Sequence, residues 1–390
     1  MVLENHHGIR YLLNKELTEI YITHALRNFA HSMVGIFVPI YLLQSGFHLH
    51  QVFIFYAIAY IVELFLFIYA SRFSSAFGIK RSILLSMPII IIFFVGLYNI
   101  DALFAVLPSW LVFLGLPSVF ASSMFLYWFS FHVDFAKFSD SKNEGKQVGM
   151  LQAITTLFSV LGPLFGGLII YMLSFEILFI IVTIIFFAAT LPLFLTDEIH
   201  TPEQDFKIKI FNSIDRRSKA IYVAEGARQI SALILWPILL YTIAVQTSSM
   251  GLLYSLTNLL LAIFSVFVGR LSDKVSHRNL MRIGAVTHGL SLSLRSFFTS
   301  LLAIFSLQSL GAISFPLLNI PYSSIVYTKA RKYGVAPFII MRQSLFNLGR
   351  VAQVLIALLL VYITDVNSIA LIIPIMIGSV CAIMMSFISD

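Results

Sequence analysis

The chain has 390 residues, of which 59% are hydrophobic, 14% aromatic and 11% charged. A soluble domain carries about a quarter charged residues, so this much apolar surface points to a bilayer as solvent and excludes a single water-soluble core. The formal net charge of +7 reads as an asymmetry between loops, and no nucleic-acid partner is expected. The single cysteine, Cys381, excludes an internal disulfide and a cysteine-based metal cluster. Neither metal nor cofactor is expected.

The first ~15 residues, with His6, His7, Arg10 and Lys15, are too polar for a cleaved signal peptide. Apolar runs then predict spans at 17–44, 50–71, 82–100, 103–131, 148–173, 176–196, 218–245, 249–271, 279–297, 299–327, 335–362 and 367–388. At roughly 20 apolar residues per crossing they use nearly the whole chain. An unpaired backbone is too costly in lipid, so the spans are helices. The runs do not alternate polar and apolar residues as barrel strands do. The expected fold class is all-α integral membrane, with about 12 transmembrane helices in two pseudo-symmetric six-helix bundles.

Span 1 carries Glu19, taken as close to its interface, and His24, Arg27 and His31 on one face. The two histidines read as a polar cavity lining, a proton relay or metal contacts. His48 and His50 follow in an exposed turn, and Glu63 lies mid-span in span 2. His132 and Asp134 near the end of span 4 suggest a gate. The longest loop, about 197–217, separates an N-terminal bundle (1–196) from a C-terminal one (218–390). Span 7 carries Glu225 and Arg228, span 11 Arg342, expected to snorkel to the interface, and Arg350, which is able to join a central cavity.

Lys and Arg concentrate in alternate loops: Arg72, Lys80 and Arg81; Lys137, Lys142 and Lys146; Lys207 to Lys219; Arg270, Lys274 and Arg278; Lys329, Arg331 and Lys332. The opposite loops hold His48, His50, Asp101, Glu176 and Asp365, with Arg295 as their strong base. Basic loops stay cytoplasmic, which places both termini inside a cell (cytoplasmic) membrane.

The halves repeat. Ile20, Tyr21, His24, Arg27 and Asn28 correspond to Ile221, Tyr222, Glu225, Arg228 and Gln229 at an offset of 201. Pro39 and Pro237 follow at 198, as do Ser71 and Gly269; Met150 and Gln152 match Met341 and Gln343 at 191. Two similar bundles around a cavity suit a carrier whose halves rock to expose the cavity to alternate sides.

Gly269-Arg-Leu271-Ser-Asp273-Lys274-Val-Ser-His-Arg278 resembles the loop motif of the major facilitator superfamily, with Ser276 in place of the second glycine. A first-half copy runs from Ser71 to Arg81. It keeps Gly78, Lys80 and Arg81, with Ser71 and Ser75 replacing glycine and aspartate. Gly162-Pro163-Leu-Phe-Gly166-Gly167 is similar to the family's fifth-helix Gly-Pro-x-x-Gly-Gly motif, frequent in exporters. The fourth-helix arginine typical of proton-coupled drug exporters is missing, since Leu111 to Tyr127 contains no charge. The resemblance implies a secondary transporter. It also implies a gating role for Asp273, close to a positive helix start. Gly162, Gly166 and Gly167 read as close-packing positions and Pro163 as a kink or hinge.

Arg27 and Arg228 each lie about ten residues, roughly 15 Å, into their helices, close to the midplane. Buried charges in membranes are costly and usually functional. Two converging guanidinium groups would hold a carboxylate or phosphate through paired, charge-assisted bonds. In the superfamily, organic-phosphate exchangers use an arginine pair on these two helices, and Arg27 and Arg228 look like that pair. The alternatives are neutralisation of Arg228 by Glu225 one turn away and of Arg27 by Glu63, or proton coupling through those carboxylates. The expected function is gradient-driven movement of a small solute, leaning to an organic or phosphorylated anion, by a monomer in the bilayer, with protons as a further partner. Multidrug efflux and lipid or lysolipid flipping are the rivals. A membrane-embedded enzyme would need a clustered catalytic set, and the sequence shows no such motif and no nucleotide-binding loop.

Overall fold

The computed structural model describes residues 15–69, 77–138, 144–194, 209–272, 274–364 and 366–388. Twelve helical segments run back and forth between two faces. In the first half they are α1 (Lys15–Val34, continued by Val38–Gln44), α2 (Leu49–Ile68), α3 (Ile79–Tyr98), α4 (Ser109–Phe138), α5 (Glu144–Ser159, continued by Gly162–Met172) and α6 (Phe175–Ala188). In the second they are α7 (Arg216–Ile230, a π turn at Ser231–Leu235, then Trp236–Thr242), α8 (Thr247–Ser272), α9 (His277–Leu294), α10 (Leu301–Tyr333), α11 (Val335–Ile363) and α12 (Asn367–Met384). Ten of these segments are long and apolar enough to cross a membrane. Of the other two, α6 has 14 residues. In α9, His277, Arg278, Asn279, Arg282 and His288 lower the hydropathy.

The expected fourth span at 103–131 divides in the structure. A short helix, Ile100–Val106, stops at Leu107, and α4 starts at Ser109. The break belongs to Pro108. A residue before proline is pushed out of the helical region, and Leu107 is extended, with φ −108° and ψ 148°. α5 is likewise interrupted just before Pro163, which then occupies the first turn of its second part.

Pairing between helices follows one rule, in which six is added to each helix number. α1 packs on α5 and α6, and α7 on α11 and α12. α3 packs on α4 and α6, and α9 on α10 and α12. α2 meets α4 as α8 meets α10. The most extensive contacts between halves are α2 with α11 and α5 with α8, which exchange under the same rule. These are two pseudo-symmetric six-helix bundles.

The repeat's change of offset from 201 to 198 has a local cause. α1 is interrupted by a three-residue turn at Gly35–Phe37 before Pro39. At the matching place α7 stays helical through its π turn, and Pro237 again lies in the first turn of the next segment. The three residues of the α1 turn are the three by which the offsets differ.

Glycines set the closest contacts, as small residues do where helices associate in lipid. Gly149 faces Gly269, so a Cβ there would stand 2.7 Å from the Gly269 Cα. Further along the same α5–α8 seam, Gly167 lies against the Thr247 carbonyl and Gly251. Gly162 and Gly166 instead turn to α1, against Ser32 and the Met33 carbonyl. At the start of α3, Gly78 has φ 87°, a left-handed conformation that a side chain would strain.

Candidate functional site

In the first half, α1 and α4 build a cationic, aromatic cluster. The guanidinium of Arg27 lies over the Tyr127 ring, 3.5 Å from its centroid, and 5.8 Å from that of Trp128. Its Nη2 reaches the Met124 sulfur at 3.6 Å. Three residues earlier, His24 is hydrogen-bonded through Nδ1 to the Tyr127 hydroxyl and stacks on Phe131 at 4.3 Å. The spacing puts both α1 side chains on one face, and Tyr127 and Phe131, one turn apart on α4, receive them. His31, one turn beyond Arg27, is half-buried.

The second half answers with a different pairing. Glu225, the repeat counterpart of His24, is hydrogen-bonded by the hydroxyl of Tyr322 on α10. It also takes Arg342 of α11 at 2.6 and 2.7 Å. Arg342 is therefore buried in an ion pair, and the expected position at the interface is corrected: a carboxylate inside the bundle holds the guanidinium there. The direct ion pair of Glu225 is thus with Arg342, while Arg228, one turn along α7, feels the same carboxylate only at longer range. Arg228 lies instead 5.1 Å from the Phe315 ring of α10.

Glu63 also chooses a different partner from the one expected. It accepts from Arg350 Nη1 at 3.1 Å, across the α2–α11 contact between halves, and not from Arg27. Arg350 Nη1 also donates to Asn347 at 3.0 Å and Nε to Gln229 at 2.7 Å. Its guanidinium lies 4.2 Å from the Phe346 ring. The misreading has a simple source: sequence gives depth but not which neighbour a helix packs on.

With those pairs assigned, Arg27 and Arg228 have no carboxylate partner among the described residues. Both are buried, at 1% and 7% exposure, and the Nε of each lacks a hydrogen-bond partner. Desolvating a charge costs several kcal/mol. A ring face returns about 2 kcal/mol. Each half thus carries a buried guanidinium without a direct ion pair at the matching position; Arg228 shares the field of Glu225 with Arg342.

At the ends of the bundle the halves also touch. On the face bearing the basic loops, His132 Nδ1 and the Tyr327 hydroxyl lie 3.0 Å apart, and Phe135 packs on the same ring at 4.9 Å. Asn319 donates to Gln152 at 3.3 Å. On the opposite face, Val38–Gln44 of α1 packs against Trp236–Thr242 of α7, and His50 lies 5.6 Å from Tyr362.

A family model described as Major Facilitator Superfamily matches residues 20–229. The chain belongs to the Major Facilitator Superfamily. An alanine variant of the E. coli fucose:proton symporter FucP matches with a TM-score of 0.66 and 12% identity, covering 96% of this chain and 98% of its own. The human organic anion transporter MFSD10 (TETRAN) gives 0.68 and 12%, covering 95% and 99%. FucP in the outward conformation gives 0.67 and 12%, covering 97% and 100%. No curated protein matches the sequence. Family and fold make the chain a multi-pass membrane transporter, and they point away from an enzyme.

The superfamily loop residues differ in exposure. Asp273 lies outside the described residues, and Lys274 and Arg278 are exposed. Arg81 is exposed as well, whereas Lys80 is buried and donates to Glu19 at 3.3 Å. The bond puts Glu19 beside the first turn of α3, at the end of the bundle that bears the basic loops. Asp134 is buried near the end of α4. Arg295, assigned by its charge to an exposed loop, is also buried, 4.4 Å from the Trp236 ring. The sequence reading missed Tyr127, Trp128, Phe315 and Tyr322. In apolar helices, rings that meet a cation look the same as rings that merely pack.

Proposed function

We propose that this transporter carries a small organic or phosphorylated anion by alternating access, with Arg27 and Arg228 as the paired binding groups. The observation that carries the reading is that both are buried cations at matching positions, and neither has a carboxylate partner among the described residues. A carboxylate or phosphate would supply the missing charge, and guanidinium groups bind either through paired hydrogen bonds. MFSD10, an organic anion transporter of similar fold, agrees in substrate class. Residues 1–196 and 218–390 would rock as two units about the α2–α11 and α5–α8 contacts, joined by 197–217 and driven by an ion or solute gradient. The basic loops favour a cytoplasmic-membrane protein with both termini inside, acting as a monomer. His24, bonded to Tyr127, and His31 line the same face as Arg27, and Glu63 and Arg350 tie the two units.

Purified protein in liposomes should exchange labelled inorganic phosphate, a sugar phosphate or a dicarboxylate, and not a neutral sugar. Arg27→Gln and Arg228→Gln should each reduce exchange at least about tenfold, the loss of one charge-assisted contact. Unchanged kinetics in both variants at normal abundance would overturn the reading. Movement of several unrelated apolar compounds or of lysolipid, with anions untouched, would replace it by one of its rivals.

A further inference from the structure

A third buried arginine outside any ion pair among the described residues lies away from the central two. Arg295, at the end of α9, is 7% exposed and has no carboxylate partner among the described residues. Its guanidinium lies over the Trp236 ring, which is fully buried. The indole N–H of Trp236 donates to Gln308 at 2.8 Å, and Gln308 donates to Thr257 at 3.3 Å. The ring is thereby fixed beneath the cation by α8 and α10. Beside it, the Tyr254 hydroxyl of α8 is buried with no hydrogen-bond partner, as is the Nε of Arg295.

A second orphan connects this place with the centre. His288 Nδ1 donates to the Gly311 carbonyl at 3.1 Å, while its buried Nε2 has no partner. The ring packs on Phe315 at 5.3 Å, the same ring that carries Arg228. His288 and Arg295 are seven residues apart, so they share a face of α9 at a separation of ~10 Å. Along α7, Arg228 and Trp236 are eight residues apart, or ~12 Å. The two helices give similar spacings, and Arg228 and Arg295 follow one another as buried cations toward the face opposite the basic loops, with the His288 ring between them.

We propose that Arg295 and the Tyr254 hydroxyl form a second anion site, which holds a phosphate or carboxylate one step out from Arg228. Its place as a step on the transport path rests on the central reading above; its ability to bind an anion does not. The Nε–H of Arg295 has no acceptor, and the Tyr254 hydroxyl supplies a further donor. An anionic lipid headgroup entering from the bilayer carries the same chemistry as a free solute, so the test separates the two sources.

Trp110→Phe and Trp128→Phe leave Trp236 as sole tryptophan, in contact with the proposed site. In uncharged maltoside detergent, inorganic phosphate or succinate should change Trp236 fluorescence saturably. Arg295→Gln should weaken that response at least about tenfold, Arg295→Lys should keep a weaker saturable one, and Arg228→Gln should leave it nearly intact. In nanodiscs of phosphatidylglycerol without added anion, a signal already at its endpoint, insensitive to phosphate and reversed by Arg295→Gln, identifies the occupant as the lipid headgroup. Absence of any response with phosphate, succinate or phosphatidylglycerol in the Arg295 protein overturns the proposal, and that titration needs no charge-removing variant to fold. A Trp236 response that persists while Arg27→Gln and Arg228→Gln leave exchange unchanged would sink the central reading and leave this site standing.

Discussion

Tyr127 and Tyr322 occupy matching places in the two halves, and each offers its hydroxyl to the corresponding residue of the first helix, His24 or Glu225. The scaffold is repeated but the charge is not. In the first half the tyrosine face carries Arg27 directly. In the second, the neighbourhood of the tyrosine is taken by Arg342, drawn in by Glu225, and Arg228 lies on Phe315. A histidine at 24 and a carboxylate at 225 are enough to give the halves different electrostatics on one frame.

The Tyr127 ring and its hydroxyl have separable effects. Tyr127→Phe keeps a face for Arg27 and removes the bond to His24, whereas Tyr127→Leu removes both. A desolvated cation–π contact is worth about 2 kcal/mol, or roughly 30-fold in affinity. Anion exchange measured across concentrations should show KM rising several-fold at most in Tyr127→Phe and by roughly that larger factor in Tyr127→Leu. Equal kinetics in the two variants would remove the ring from the site.

Glu225 and Arg342 form a buried pair, so removing one partner strands the other. Glu225→Gln should destabilise the protein by about 3–5 kcal/mol, and Arg342→Gln similarly. The double variant should recover part of the loss, because no lone charge remains. Thermal unfolding of the four proteins gives the coupling. Additive losses would show that the two side chains do not act as a pair.

How legible this was in sequence depends on the kind of information needed. Hydropathy marked the helices, and the Arg27/Arg228 repeat marked the two halves, because a charge at membrane depth is rare enough to align on. Helix breaks were harder. Pro108 and the Gly35–Phe37 turn interrupt runs that are apolar on both sides, so hydropathy passed over them. Partner choice was beyond reach. Glu63 and Arg350 are 287 residues apart in sequence, and their bond exists only because α2 packs on α11. For Glu225, Arg228 was available on the same helix, yet Arg342 on α11 won it.

The Glu63–Arg350 pair should tolerate loss of its carboxylate better than Glu225–Arg342 does. In Glu63→Gln, Arg350 keeps Gln229, Asn347 and the Phe346 face. A hydrogen bond to a charged group contributes about 1.5–3 kcal/mol, so these contacts offset much of the lost ion pair. The thermal midpoint should fall less in Glu63→Gln than in Glu225→Gln. The reverse order would mean that the bond between halves holds the fold more firmly than the bond within one.

Glycine positions give a test of packing that is independent of charge. A methyl group at Gly166 would collide with the Met33 carbonyl of α1, and backbone cannot swing aside as a side chain can. Gly115 on α4 has nothing within 4 Å of the place its Cβ would occupy. Gly166→Ala should therefore force α1 and α5 apart and destabilise by about 1–3 kcal/mol. Gly115→Ala, inside a helix, should be neutral or stabilise by about 0.5–1 kcal/mol through helix propensity. Both variants can be read from monodispersity and thermal midpoint after extraction in the same detergent. If Gly166→Ala proved as stable as Gly115→Ala, the close α1–α5 approach would be wrong, and with it the placement of Gly162 and Pro163 at the break in α5.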